Sequence, residues 1–154
     1  MKYVMPILLL VILIGCSAPN DLTRNQSAAK SFLEKRGYQV LSYEAHAESY
    51  ELTKQKIITL PYMMYWGLQS VDPVPFFGKT IEVEKFSVKN HPLSAGKVNV
   101  FVYVVNGKAI GGTSAPSDDE SDGGYWSLDG KTLEEVQVKS YQDWQKDWLN
   151  KYSE

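Results

Sequence analysis

The chain has 154 residues, 16 Lys and Arg against 18 Asp and Glu, and a single cysteine. A formal charge of −2 with no basic block argues against a nucleic-acid partner. One cysteine excludes an internal disulfide, so stability must come from a core, for which four Trp, ten Tyr and five Phe supply apolar surface.

Residues Val4 to Gly15 form an apolar run preceded by Lys2, the only charged side chain ahead of the cysteine. As a helix this run measures about 18 Å, well short of a hydrocarbon core of about 30 Å. A positive start, a short apolar centre and a small residue before a cut form the pattern of an export signal. Leu13-Ile14-Gly15-Cys16 resembles a bacterial lipobox. The resemblance implies that residues 1–15 are a lipoprotein signal peptide and that Cys16 becomes the first residue of the mature chain. Its sulfur would carry a thioether-linked diacylglycerol, with acyl chains such as palmitate, on the extracytoplasmic side of the cell membrane. The alternatives are an ordinary signal peptide with an incidental cysteine, or a short uncleaved anchor. Two or more acyl chains hold stably where one does not, and lipidation removes an otherwise exposed reactive thiol. Ser17 follows, so the Asp of an inner-membrane retention signal is not there.

Removing fifteen residues leaves 139, the size of one domain, and the loss of Lys2 takes the charge from −2 to −3. Residues 16–21 form the lipidated cysteine and a tether. Four extended residues after Cys16 reach only about 14 Å, so residues 22–154 are expected to fold as a single globular α+β domain close to the lipid.

In chain order, Leu22, Ala29, Phe32 and Leu33 predict a first helix over roughly Asn25 to Arg36, with Gly37 as a left-handed cap. "YQVLSYE" and "ESYELT" predict two short strands joined through Ala45-His46-Ala47. Thr53 caps a short helix running towards Leu60. "YMMYWGLQSV" is too short to assign by period and is read as a strand around Met64 to Ser70; "DPVPFFGK" is a turn-rich connector. In "TIEVEKFSVKN", Ile81 and Val83 share one parity and Phe86 and Val88 the other, which predicts a β-bulge near Glu84-Lys85. In "VNVFVYVVNGKAIGGTS", Val98, Val100, Val102 and Val104 alternate and Asn106-Gly107 suits a type I′ turn, marking a central strand and hairpin. "SAPSDDESDGG" is an acidic loop and "YWSLDGK" a last strand and turn. Ser140 caps a closing helix whose Tyr141, Trp144, Trp148, Leu149 and Tyr152 line one face.

Five groups of residues are weighed for chemistry. Asp118, Glu120, Asp122, Gly123 and Asp129 fall at EF-hand-like positions, but Trp126 stands at another ligand position and no helix precedes, so a solvated acidic loop is favoured over a calcium site. "FFGKT" and "DGKT" mimic the end of a phosphate-binding loop, but Pro73 and Tyr125 stand where it needs glycine. His46 and His91 have no metal-ligand spacing around them; Glu44 and Glu48 flank His46, leaving an acid–base group as the alternative to a surface role. The closing aromatic helix is read as core rather than a docking face. Tyr62, Met63, Met64, Tyr65 and Trp66 are read as core too, with an interaction surface as the alternative.

"LPYMMYWGLQSVDP", "FFGKTIEVEKFSVKNHPL", "NGKAIGGTSAP" and "YWSLDGKTLEE" resemble uncharacterised small lipoproteins of low-GC Gram-positive bacteria over about the last hundred residues. No catalytic set comes with that likeness. The expected architecture is an antiparallel sheet of about five strands with the N- and C-terminal helices packed on one face. The expected role is a lipid-anchored binding or interaction module with a protein or small-ligand partner and no cofactor. The alternatives are a small envelope enzyme using His46 or His91, and a calcium-responsive lipoprotein.

Overall fold

The computed structural model describes residues 22–117 and 124–153. Five strands form one antiparallel sheet in the order β1-β2-β3-β4-β5, the order of the chain. They are β1 (Gln39–Glu51), β2 (Thr80–Lys89), β3 (Val98–Val105), β4 (Lys108–Pro116) and β5 (Trp126–Ser127). Helix α1 (Arg24–Glu34) precedes the sheet, α2 (Lys54–Ile57) and α3 (Tyr62–Gly67) lie between β1 and β2, and α4 (Leu133–Gln137) and α5 (Tyr141–Tyr152) close the chain.

The hairpin of β3 and β4 is the centre, and it forms for the expected reason. Asn106 and Gly107 both take positive φ, 51° and 77°, the backbone that a type I′ turn requires. Val98, Val100, Val102 and Val104 are fully buried on one face. They pack with Phe86, Val88 and, from α1, Ala29 and Leu33. On the other face Tyr103 and Val105 join Ile81 and Val83 in a second core with α2, α3, α4 and α5. The α+β class, the five-stranded sheet and the helices at both ends are therefore as expected. The two end helices do not share a face: α1 covers the valine side, while Trp144, Trp148 and Tyr152 of α5 belong to the opposite core.

That two-sided core also removes the bulge expected in β2. β2 pairs with β3 without a register shift from Glu82↔Val104 to Val88↔Val98. Its change of parity records a change in which core takes the apolar residue: Ile81 and Val83 serve one, Phe86 and Val88 the other. The irregularity sits in β1, where register shifts fall between Val40 and Ser42, Tyr43 and Ala45, and His46 and Glu48. So "YQVLSYE" and "ESYELT" form one strand of 13 residues rather than two. Each extra residue restores phase after three positions instead of two. Val40, Tyr43, His46 and Ser49 consequently pair with Val88, Phe86, Glu84 and Glu82, all on the α1 side.

The segment expected as a strand over Met64 to Ser70 is helical instead, as α3. Met63 and Trp66, three apart, enter the core, the spacing that places two side chains on one helix face. The caps were legible: Thr53 accepts from Lys56 N and Ser140 from Asp143 N, and Gly37 takes φ 86° after α1. Thr23 and Gln26 add a reciprocal capping box at the start of α1.

Candidate functional site

The most built depression lies on the α3 side of the sheet, where β1, β2, β3 and β4, α3 and the segment before β5 meet. Its volume is about 190 Å³, and its lining includes Glu48, Tyr50, Tyr65, Phe101, Tyr103 and Tyr125. The register explains how they gather. Glu48 pairs with Val83 and Tyr50 with Ile81, Val83 pairs with Tyr103, and Phe101 pairs with Thr113, so these side chains rise from one face of neighbouring strands. Residues 62 and 65 sit three apart on α3, on a different side from Met63 and Trp66, and bring their rings over the same face.

Hydrogen bonds and ring contacts hold the wall in place. Trp66 Nε1 donates to the Tyr50 hydroxyl at 3.0 Å, and the Tyr62 hydroxyl donates to Glu48 Oε1. The rings of Tyr65 and Tyr125 lie 4.8 Å apart, edge to face. Phe101 lies 5.8 Å beyond Tyr125, and Tyr50 and Tyr62 stand 4.7 Å apart. Four of these phenols, Tyr50, Tyr62, Tyr65 and Tyr103, are poor acids here. The bond to Glu48, then burial, pushes Tyr62 up to about 12; burial is the main cause that raises Tyr50, Tyr65 and Tyr103. They are neutral hydroxyls at any physiological pH.

A second, more apolar depression of about 470 Å³ shares Tyr65 and Tyr125 with the first and is lined otherwise by Leu60, Pro61, Met64, Leu68 and Gly124. Of the run Tyr62 to Trp66, then, Met63 and Trp66 are core residues. Tyr62, Met64 and Tyr65 are half-buried and pack against that core from outside, and Met64 and Tyr65 reach the depressions. Sequence reasoning missed Tyr50, Phe101, Tyr103 and Tyr125, which read as ordinary strand residues, and set Glu48 beside His46 instead of in the cleft. The available signal was ten tyrosines in one small chain, more than a dry core readily accommodates with hydroxyl partners.

The histidines are occupied differently. Leu93 N donates to His91 Nδ1 at 3.1 Å, so Nε2 carries the proton that it gives to the Leu128 carbonyl at 2.9 Å. Burial holds this imidazole below its ordinary value, against the opposing pull of the Leu128 bond and Asp129. Both nitrogens are spent on joining two loops, which leaves none for catalysis. His46 is exposed in mid-strand, with Nδ1 3.3 Å from Glu84 Oε1 and Nε2 2.8 Å from Ser49 Oγ. The expected flanking partners are elsewhere: Glu44 accepts from Ser42 and Glu48 from Tyr62. Ser49, His46 and Glu84 follow the order of a nucleophile, base and carboxylate. Yet Ser49 donates its one hydroxyl proton to Glu82, so the ring nitrogen facing it acts as a donor and not as a base.

Asp129 accepts from the Tyr38 hydroxyl at 3.1 Å; Asp118, Glu120, Asp122 and Gly123 lie outside the described residues, as does Cys16. Among the described residues no three His, Cys, Asp or Glu side chains are grouped to hold a metal, and no helix is long and apolar enough to cross a membrane. No family model, curated protein or solved structure matches the chain.

Proposed function

We propose that this protein is a membrane-anchored lipoprotein, held by the lipid on Cys16 at the extracytoplasmic face of the cell membrane, and that its domain is a binding module. The observation that carries the binding role is the tyrosine-lined cleft. A core built only for stability closes on itself at crystal-like density. Here Tyr50, Tyr103 and Thr113, all at most 7% exposed, floor an opening with hydroxyls, and hydrogen bonds pin the rings around it. An apolar concavity with a few fixed polar groups is the usual form of a small-ligand site. Its volume lies below the roughly 300–1,000 Å³ of drug-sized pockets, so the fit is to a small molecule or to one group of a larger partner. The anchoring rests on Leu13-Ile14-Gly15-Cys16 and the apolar run before it.

The experiment is a ligand-observed NMR screen of small polar, cationic, anionic and aromatic compounds against the full chain in a non-ionic detergent. We expect compounds that bind the wild type and are lost on Tyr65→Ala, with Leu41→Ala, remote from the cleft, as the folded control. A screen in which every binder survives Tyr65→Ala would remove the cleft from the reading.

A further inference from the structure

We infer that the group seated in the cleft is an organic cation, an ammonium or alkylammonium, held by the faces of the tyrosine and phenylalanine rings with Glu48 as its counter-charge. The inference rests on the cleft being a ligand site and names what it takes.

The lining, the placement of Glu48 and the neighbouring lysines carry it. The lining holds five aromatic rings, Tyr50, Tyr65, Phe101, Tyr103 and Tyr125, and one charged residue, Glu48, with no basic residue among the described residues that line it. Ring faces carry negative electrostatic potential and attract cations within about 6 Å, and a cation so held needs no hydrogen-bond donor from the protein. Glu48 is oriented, because the Tyr62 hydroxyl fixes it through Oε1 at the rim. Its charge also reaches the interior. After burial, or after the direct bond in the case of Tyr62, Glu48 is among the groups that keep Tyr50, Tyr62, Tyr65 and Tyr103 protonated.

The chain's own ammonium groups show the same preference from outside. Lys56 Nζ stands 4.1 Å from the centre of the Tyr62 ring and 5.3 Å from that of Tyr50, and Lys85 Nζ stands 5.8 Å from that of Phe101. Neither lysine is among the residues that line the cavity. The space of about 190 Å³ corresponds to roughly six water molecules at their share of liquid volume, enough for a small alkylammonium group and too little for a bulky one.

The test compares probes that differ in charge but not in shape. Choline and tetramethylammonium are titrated into the full chain by calorimetry in a non-ionic detergent, beside 3,3-dimethylbutan-1-ol, the uncharged carbon analogue of choline. We expect choline to bind about tenfold or more tightly than the alcohol, within the range of ring–cation attraction plus a carboxylate. Glu48→Gln, which keeps the acceptor for Tyr62, should remove most of that difference, and Tyr65→Ala should weaken both probes. Equal affinity for choline and the alcohol would overturn the cation while leaving an apolar ligand site standing. No binding of either cation would overturn it as well, and the broader screen above then decides separately whether the cleft binds anything.

Discussion

His91 shows how a residue suited to chemistry is spent on structure. Its ring stacks 5.0 Å from Tyr38, and the Tyr38 hydroxyl and His91 Nε2 both reach the Leu128 carbonyl, at 3.0 and 2.9 Å. Only the neutral ring fits, since a proton on Nδ1 would face the Leu93 N–H. The folded state therefore takes up this proton at lower pH than the unfolded chain does. His91 costs no stability above its ordinary value near 6.5, and stability falls as pH drops below that value towards the lowered folded one. Thermal melts from about pH 7.5 down to about pH 5.5 should show a declining midpoint. His91→Ala should lose about 1–3 kcal/mol at neutral pH for its unpaired partners and flatten that decline. An unchanged pH profile in the variant would assign the acid sensitivity elsewhere. Gln69 has a comparable role: it donates to Gly112 O at 3.0 Å and accepts from Gly112 N at 2.8 Å, standing in for a neighbouring strand. Val138 is the opposite case, 87% exposed and held at φ 53°, a backbone that costs a β-branched residue about 1–2 kcal/mol. Val138→Asn should raise the melting midpoint, and no rise would mean that the turn relaxes freely.

Elements were legible where period and turn chemistry agreed. The valines of β3 alternate strictly, Asn106-Gly107 admits the hairpin backbone, and the aromatic spacing of α5 selects one face, so these were readable residue by residue. α3 was not, because six residues complete fewer than two helical turns, and Tyr, Met and Trp on all sides leave no polar face to mark the period. The three bulges of β1 were hidden for another reason. A bulge is a property of a strand pair, and the residues that absorb it, Leu41, Glu44 and Ala47, have nothing in common. Assuming a period of two placed Glu44 and Glu48 beside His46, whereas the period of three places Tyr43 and Ser49 on its face and sends Glu48 to the cleft. The candidate site was accordingly half visible: the α3 residues were singled out, and the strand residues that complete the wall were not. The bulges also twist the long β1 edge, the usual protection of an exposed strand against pairing with another chain. At this scale Leu33→Ala, in the α1 contact with the valine face, should cost about 2–5 kcal/mol. Leu41→Ala, on a bulge and 38% exposed, should stay within about 0.5 kcal/mol. Denaturant midpoints compare the two directly, and similar losses would contradict the two-sided core.

For the whole molecule, the sheet separates two duties. α1, the first described element, covers the valine face, and the tyrosine cleft opens on the other, so a group can enter the cleft without displacing α1. The proposed role joins a lasting hold at the membrane to a small recognition site, and the membrane half of it requires that the cysteine carry lipid. Intact-mass and peptide mass spectrometry of the protein purified from its own membranes measures this most directly. We expect a mature chain beginning at Cys16, heavier than its sequence by a diacylglycerol, and a Cys16→Ala variant that is left uncut or is released from the membrane fraction. A native chain whose Cys16 thiol is free would contradict the anchoring and the membrane-side role that depends on it.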